Sequence, residues 1–92
     1  PGAVISAVSG ITGFALTGSL SSGGSQTGIH SAFTGTIGVT LSSGPTAASN
    51  LYLTVNASLQ QTIPDSLGET GTKTFTSHAY SATDTINISL AV

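Results

Sequence analysis

Apolar and polar residues alternate one by one along three runs of this chain of 92 residues. The alternation is clean over residues 29–41, 51–60 and 84–92, and Gly44-Pro45 ends the first of these runs as a turn would. A period of two places successive side chains on opposite faces of a strand, one of which is buried. Helical spacing is absent, whereas the strand-favouring residues Thr, Val and Ile are frequent. The sequence therefore predicts an all-β fold.

The strand-like runs are spaced as in a small sandwich. Weaker runs cover residues 3–8, 11–20 and 72–80, and Phe75 is the best core candidate of the last of them. The tract 21–28 (SSGGSQTG) is predicted to be a loop or a wide hairpin. Such spacing, in a chain long enough for one domain, predicts a small immunoglobulin-like β-sandwich of about six to seven strands.

Charged residues are nearly absent. A typical soluble domain is about one-quarter charged. This chain has 30 Ser and Thr but four charged residues, which are Asp65, Glu69, Lys73 and Asp84. One Lys and no Arg cannot neutralise a phosphate backbone, so we expect no nucleic-acid partner. No apolar run approaches the about 20 residues that a membrane-spanning helix needs. We therefore expect no membrane span.

The cellular setting is also predicted from composition. The chain has no Cys, so disulfides and Cys-ligated metals are excluded. It begins at Pro1 rather than Met, which we interpret as a processed product. Together with the hydroxyl-rich composition, this favours an extracellular or cell-surface location.

Few residues could carry catalysis or hold a metal ion. His30 and His78 are the candidate bases, both expected on strand surfaces, and there is no G-x-S-x-G motif. Asp65 and Glu69 fall in a predicted loop at 64–71, where two carboxylates would hold a cation only weakly. No phosphate-binding glycine motif is present. We predict a non-enzymatic protein without catalytic, cofactor-binding or metal-binding residues.

Two sequons offer glycosylation sites. Asn56-Ala57-Ser58 and Asn87-Ile88-Ser89 match N-x-S, and both Asn are expected on the polar faces of their strands. The alternative is that Asn56 and Asn87 are ordinary exposed strand residues. The abundant Ser and Thr could also carry O-linked glycans.

The N-terminal segment is the most apolar strand candidate. We divide the chain into this segment, 1–10, and a single sandwich domain, 11–92. The segment either pairs with its own domain or inserts into a neighbouring copy as a donated strand, since an extended segment can add to an open sheet edge. Gly10 and Gly13 could let it turn away. Almost no charge guards the predicted edges, which favours self-association. The candidate subunit-interface residues are Ala3, Val4, Ile5, Ala7 and Val8.

In these features the chain resembles subunits of extracellular pili and threads that assemble by donor-strand complementation. The resemblance rests on the apolar segment at 3–8 and the alternating, uncharged runs that follow it. It implies an incomplete sandwich that the N-terminal extension of the next subunit completes. Unlike many chaperone–usher pilins, the chain can form no disulfide and lacks a penultimate Tyr. It is more similar to archaeal-type and other bacterial threads, which are often glycosylated.

We therefore expect a structural subunit of a self-assembling extracellular filament (pilus, thread or fibril) whose main partners are copies of itself. The alternative is a monomeric β-sandwich binding module of a surface protein, such as a carbohydrate-binding one. Sugar-binding surfaces usually present aromatic rings. Trp is absent here, and Tyr52 and Tyr80 are the candidate exposed rings, which favours the structural role.

Overall fold

The computed structural model describes residues 3–14, 20–21 and 25–91, and every regular element in them is a β-strand. This confirms the predicted all-β class. The strands are β1 (Val4–Ser9), β2 (Leu20–Ser21), β3 (Ser25–Thr27), β4 (Phe33–Ser43), β5 (Ser49–Val55), β6 (Ser58–Asp65), β7 (Gly71–Tyr80) and β8 (Ile86–Ala91).

Two antiparallel sheets form the sandwich. One has the order β2-β1-β4-β7 and the other β3-β8-β5-β6. Each sheet therefore has three long strands and one short edge strand, β2 or β3. This agrees with the expected small sandwich of about six to seven strands. The alternating residues of β4, β5 and β8 bury their apolar faces between the sheets, as predicted. The largest fully buried apolar side chains are Phe75, Ile5, Ile37, Leu51, Leu53, Ile86, Ile88, Leu90 and Val39.

Strand directions give the sandwich two distinct ends. The connections at residues 44–48 and 66–70 lie at one end, which we call the lysine end because Lys73 points to it. The turns at 56–57 and 81–85 and the segment 28–32 lie at the other, which we call the histidine end.

The predicted strand at 51–60 is instead two strands joined by a tight turn. β5 ends at Val55, and Asn56 and Ala57 have positive φ angles of 52° and 67°. Such a pair is typical of a type I′ hairpin, whose twist matches that of the flanking strands. The chain therefore reverses at Asn56, and Leu59 is 59% exposed rather than part of the inner face.

The first clean run starts later than predicted. β4 begins at Phe33, and the preceding residues 28–32 form no strand. His30 lies in this segment and is only 4% exposed, so the expectation of a strand-surface histidine is wrong for it. His78, on β7, is exposed as expected.

The predictions for residues 11–20 and 21–28 fall partly outside the described residues. Within the predicted strand 11–20, the described residues 11–14 form a turn, 15–19 lie outside the description, and β2 is short. The predicted loop 21–28 contains β3, while 22–24 lie outside the described residues.

The N-terminal strand pairs with its own domain. β1 lies between β2 and β4 in antiparallel register, with Ile5 opposite Leu20 on one side and Leu41 on the other. The donated arrangement is therefore not the one that the single chain adopts, because β4 offers β1 a ladder and the inter-sheet core accepts its side chains. β1, which lies in the segment 1–10, is therefore part of the same sandwich as the strands in 11–92.

Candidate functional site

The five candidate interface residues divide between the core and the surface. Ala3 and Ile5 are fully buried in the core, Val4 and Val8 are half-buried, and Ala7 is exposed. The pairing of β1 with β4 shifts register on both sides of Ile5, so the ladder is irregular in the first half of the strand.

Two glycines with positive φ angles follow β1. Gly10 and Gly13 have φ angles of 91° and 82°, a region that residues with side chains rarely adopt. A β-carbon on Gly10 would also collide with the carbonyl oxygen of Thr36. The chain therefore needs glycine where it leaves β1.

The long edge strands β6 and β7 lie on the same side of the sandwich. Gln61 of β6 bridges them, because its Oε1 accepts the Thr76 N–H at 2.9 Å and the Thr76 hydroxyl at 3.1 Å. This side chain satisfies one edge amide of β7. Pro64 removes one donor from β6, which also blunts that edge.

Three of the four charged residues meet at the lysine end. Lys73 Nζ contacts Glu69 Oε2 at 2.7 Å, and Glu69 Oε1 accepts the Ser66 N–H at 2.9 Å. These two hydrogen bonds lower the pKa of Glu69, and the bond that Lys73 donates to Glu69 raises the pKa of Lys73. The amine of β7 is thus directed at its own connection rather than along the open edge.

Asp65 lies beside this pair without joining it. The residue ends β6 instead of lying in the predicted loop, and it is 2% exposed. Neither carboxylate oxygen has a hydrogen-bond partner among the described residues. Burial raises the pKa of Asp65 from its ordinary value of 3.8, the positive charge of Lys73 opposes this, and the charge of Glu69 adds to it.

At the histidine end, His30 joins two connections. Its Nδ1 contacts the carbonyl oxygen of Ser31 and its Nε2 that of Asp84, both at 2.9 Å. Because both partners are acceptors, both ring nitrogens donate only when the ring carries two protons.

Asp84 and Asn56 complete this network. The Asp84 carboxylate accepts the Ser81 N–H at 2.9 Å and the Asn56 Nδ2–H at 3.1 Å, while Asn56 Oδ1 accepts the Thr85 N–H at 2.9 Å. The bond from Ser81, and then that from Asn56, lower the pKa of Asp84. Polar groups at this end are therefore used to tie turns together.

An aromatic cluster borders the same end. Tyr80 stacks on Phe33 with ring centroids 4.8 Å apart, and the exposed His78 ring packs edge-on against Tyr80 at 4.7 Å. Tyr80 is buried, so the expectation of an exposed ring is wrong. Its hydroxyl has no hydrogen-bond partner among the described residues, and burial, with a smaller effect of Asp84, raises its pKa.

The two sequons differ in their surroundings. Asn87 lies half-buried on the outer face of β8, as predicted, between Thr27 of β3 and Thr54 of β5. Asn56 lies in the exposed hairpin turn, where its side-chain amide is engaged with Asp84 and Thr85. The amide nitrogen that would carry a sugar on Asn56 therefore already has a structural role.

The described residues contain no pocket, no group of three or more metal-ligating side chains, and no helix with the length and apolar character to cross a bilayer. Comparisons with protein-family models, with curated proteins and with solved structures found no match.

Proposed function

We propose that the chain is a structural subunit of an extracellular filament and that neighbouring subunits are coupled by exchange of β1. The observation that carries the proposal is the position of β1 at the interior of its sheet, with Ala3 and Ile5 in the core and Gly10, at positive φ, directly after it. An exchanged β1 would carry Ala3 and Ile5 into the core of a neighbouring copy.

Exchange would preserve the contacts that β1 now makes. In the single chain β1 pairs with β4 at five positions, and each ladder hydrogen bond contributes about 0.5–1.5 kcal/mol. Burial of Ile5 contributes about 1.5–3 kcal/mol more. A neighbouring subunit that receives the same strand gains the same contacts, so a joint without covalent links is energetically reasonable.

The charge distribution supports self-association. The strands of the sandwich contain two charged residues, Asp65 and Lys73, and neither presents a free charge along an edge. Isolated sandwiches usually guard their edges with exposed charge. N-linked sugar on the outer face at Asn87, O-linked sugar on the hydroxyl-rich surface and an extracellular location belong to the same proposal.

The test is to delete residues 1–9 and to image the purified protein by negative stain. We expect filaments from the full chain, and an unstable or aggregating product without β1. A synthetic peptide of residues 1–9 should rescue folding, whereas the same peptide with Ile5→Asp should not. Fibres formed by a stable truncated chain would exclude β1 as the connector.

The second candidate is a monomeric binding module. It is favoured by the closed pairing of β1 within its own sheet. Featureless monomers at high concentration, with no filaments under any condition of pH or salt, would support it against the filament.

A further inference from the structure

The buried carboxyl of Asp65 has no role in the proposed filament joint. It is paired in register with Ser49 of β5, but the Ser49 hydroxyl donates to the carbonyl oxygen of Ala47 at 2.9 Å. The Ser49 hydroxyl therefore donates elsewhere, and Asp65 is left without a donor among the described residues. A buried polar group in this position is rare enough to need an explanation.

The charged groups facing Asp65 are few. Lys73 comes from β7 and Glu69 from the connection 66–70, and these two are bound to each other. Strands β1, β5 and β8 contain no acidic or basic residue, and Tyr52 alternates to the outer face of β5. No counter-charge is therefore committed to Asp65.

We propose that Asp65 is a proton-operated switch of the lysine end: as a neutral acid it stays buried, and as a carboxylate it draws the end of β6 out of its packed position. A buried ion without hydrogen bonds is strongly unfavourable. The ionised group can be satisfied by water, which requires the connection to open, or by Lys73, which requires the ammonium to shift from Glu69 toward the end of β6.

Either route loosens the same connection. The turn is held by the Gly68 N–H, which donates to the Pro45 carbonyl oxygen at 2.8 Å, and by the Lys73–Glu69 pair at 2.7 Å. Gly44 also packs directly against the Gly68 backbone. Opening at Asp65 therefore separates the two connections at this end from each other.

The direction of the pH effect follows from the raised pKa. The folded chain holds the Asp65 proton more tightly than the unfolded chain, so the folded state is favoured at low pH and loses stability as the pH rises above the ordinary value of 3.8. Glu69 and Asp84 have lowered pKa values and act oppositely, losing their contributions as the pH falls. The sign of the Asp65 effect therefore distinguishes it from the effects of Glu69 and Asp84.

Hydrogen exchange on the full single chain tests this. We expect the protection factors of amides 63–73, measured against those of β8, to fall as the pH rises above the ordinary Asp65 value of 3.8, by about tenfold for each unit by which the Asp65 pKa is raised. Asp65→Asn should abolish the fall. Asp84→Asn, at the other end, should retain it. Both variants keep His30 and His78, so neither histidine is changed in the comparison.

Three results would overturn the proposal: no fall in the wild-type chain, an equal fall in Asp65→Asn, or a fall confined to residues 81–86. If Asp65→Asn does not fold, a carbon-detected titration of the wild-type carboxyl decides instead, and a midpoint at or below the ordinary value contradicts the switch. These measurements need no filament, so their outcome is separate from that of the proposed function.

Discussion

The two ends of the sandwich use their few charged groups in opposite ways. At the histidine end, Asp84, His30 and Asn56 satisfy one another and the backbone of two turns. At the lysine end, Lys73 and Glu69 form a pair that is partly open to solvent, and Asp65 remains buried beside it without a hydrogen bond. The polar groups at the histidine end are therefore hydrogen-bonded to one another, whereas the lysine end contains a buried carboxyl group without a partner. We expect mutations at the histidine end to destabilise the folded chain, and those at the lysine end chiefly to change how its stability depends on pH.

The strongest test of this contrast is His30→Ala. Removing the ring leaves the carbonyl oxygens of Ser31 and Asp84 without their partner in a buried setting. We expect the free energy of unfolding, measured by urea denaturation, to fall by about 2–3 kcal/mol. His78→Ala, on the exposed face of β7, is the control and should change it by no more than about 0.5 kcal/mol. Equal effects of the two substitutions would mean that the network is not what holds this end.

Asn56→Ala should have the next largest effect. It removes the acceptor of the Thr85 N–H and the donor to Asp84, and it places a second Ala at positive φ. We expect a loss of about 1–2 kcal/mol by the same measurement. Asn87→Ala removes the other sequon on the outer face of β8, and a loss as large there would contradict the distinction between the two asparagines.

The turn itself can be improved. Ala57 has a φ of 67°, a region that costs a residue with a side chain about 1–2 kcal/mol. Ala57→Gly keeps the sequon and gives the residue pair preferred in type I′ turns, so we expect a gain of about 1 kcal/mol in thermal or urea unfolding. Ala82→Gly, in a turn of negative φ, should instead be neutral or destabilising. A loss in Ala57→Gly would indicate a different turn.

The smallest expected effect is that of Glu69→Gln. The pair with Lys73 is partly exposed, and such pairs contribute little. Glu69 has a lowered pKa, so its contribution is present above its ordinary value of 4.5 and is lost as the pH falls. We expect the variant and the wild type to unfold alike at acidic pH and to separate slightly at neutral pH. A separation that grows as the pH falls would contradict the direction assigned to this group.

The alternation of apolar and polar residues was enough to predict the main strands, but not the turns between them or the residues at which they begin and end. The inner faces of β4, β5 and β8 follow from alternation because burial on one side imposes it. The hairpin at Asn56 was missed because Asn-Ala lacks the glycine that usually marks such a turn, and the alternation continues through it in the sequence. The same reason applies to His30. Residues 28–32 continue the apolar–polar alternation of β4 in the sequence but are not part of that strand.

The lysine end was still less predictable. Pro64-Asp65 is a common turn signal, whereas here it closes a strand. One sequence signal for the burial of Asp65 was present. Gln61, Ile63 and Asp65 are alternate residues, so they lie on the same, inward face of β6. The bridge from Gln61 to Thr76 joins residues 15 positions apart through tertiary structure, and no local pattern carries that information.

The antiparallel alignment of β1 with β4 has a mechanical consequence for the proposed filament. Tension along a fibre would pull an exchanged β1 parallel to its own axis. The ladder bonds to β4 would then be loaded together in shear, instead of opening one after another as in a peeled hairpin. The register shifts around Ile5 would resist sliding further, because a slip of one residue would turn the buried Ile5 toward solvent.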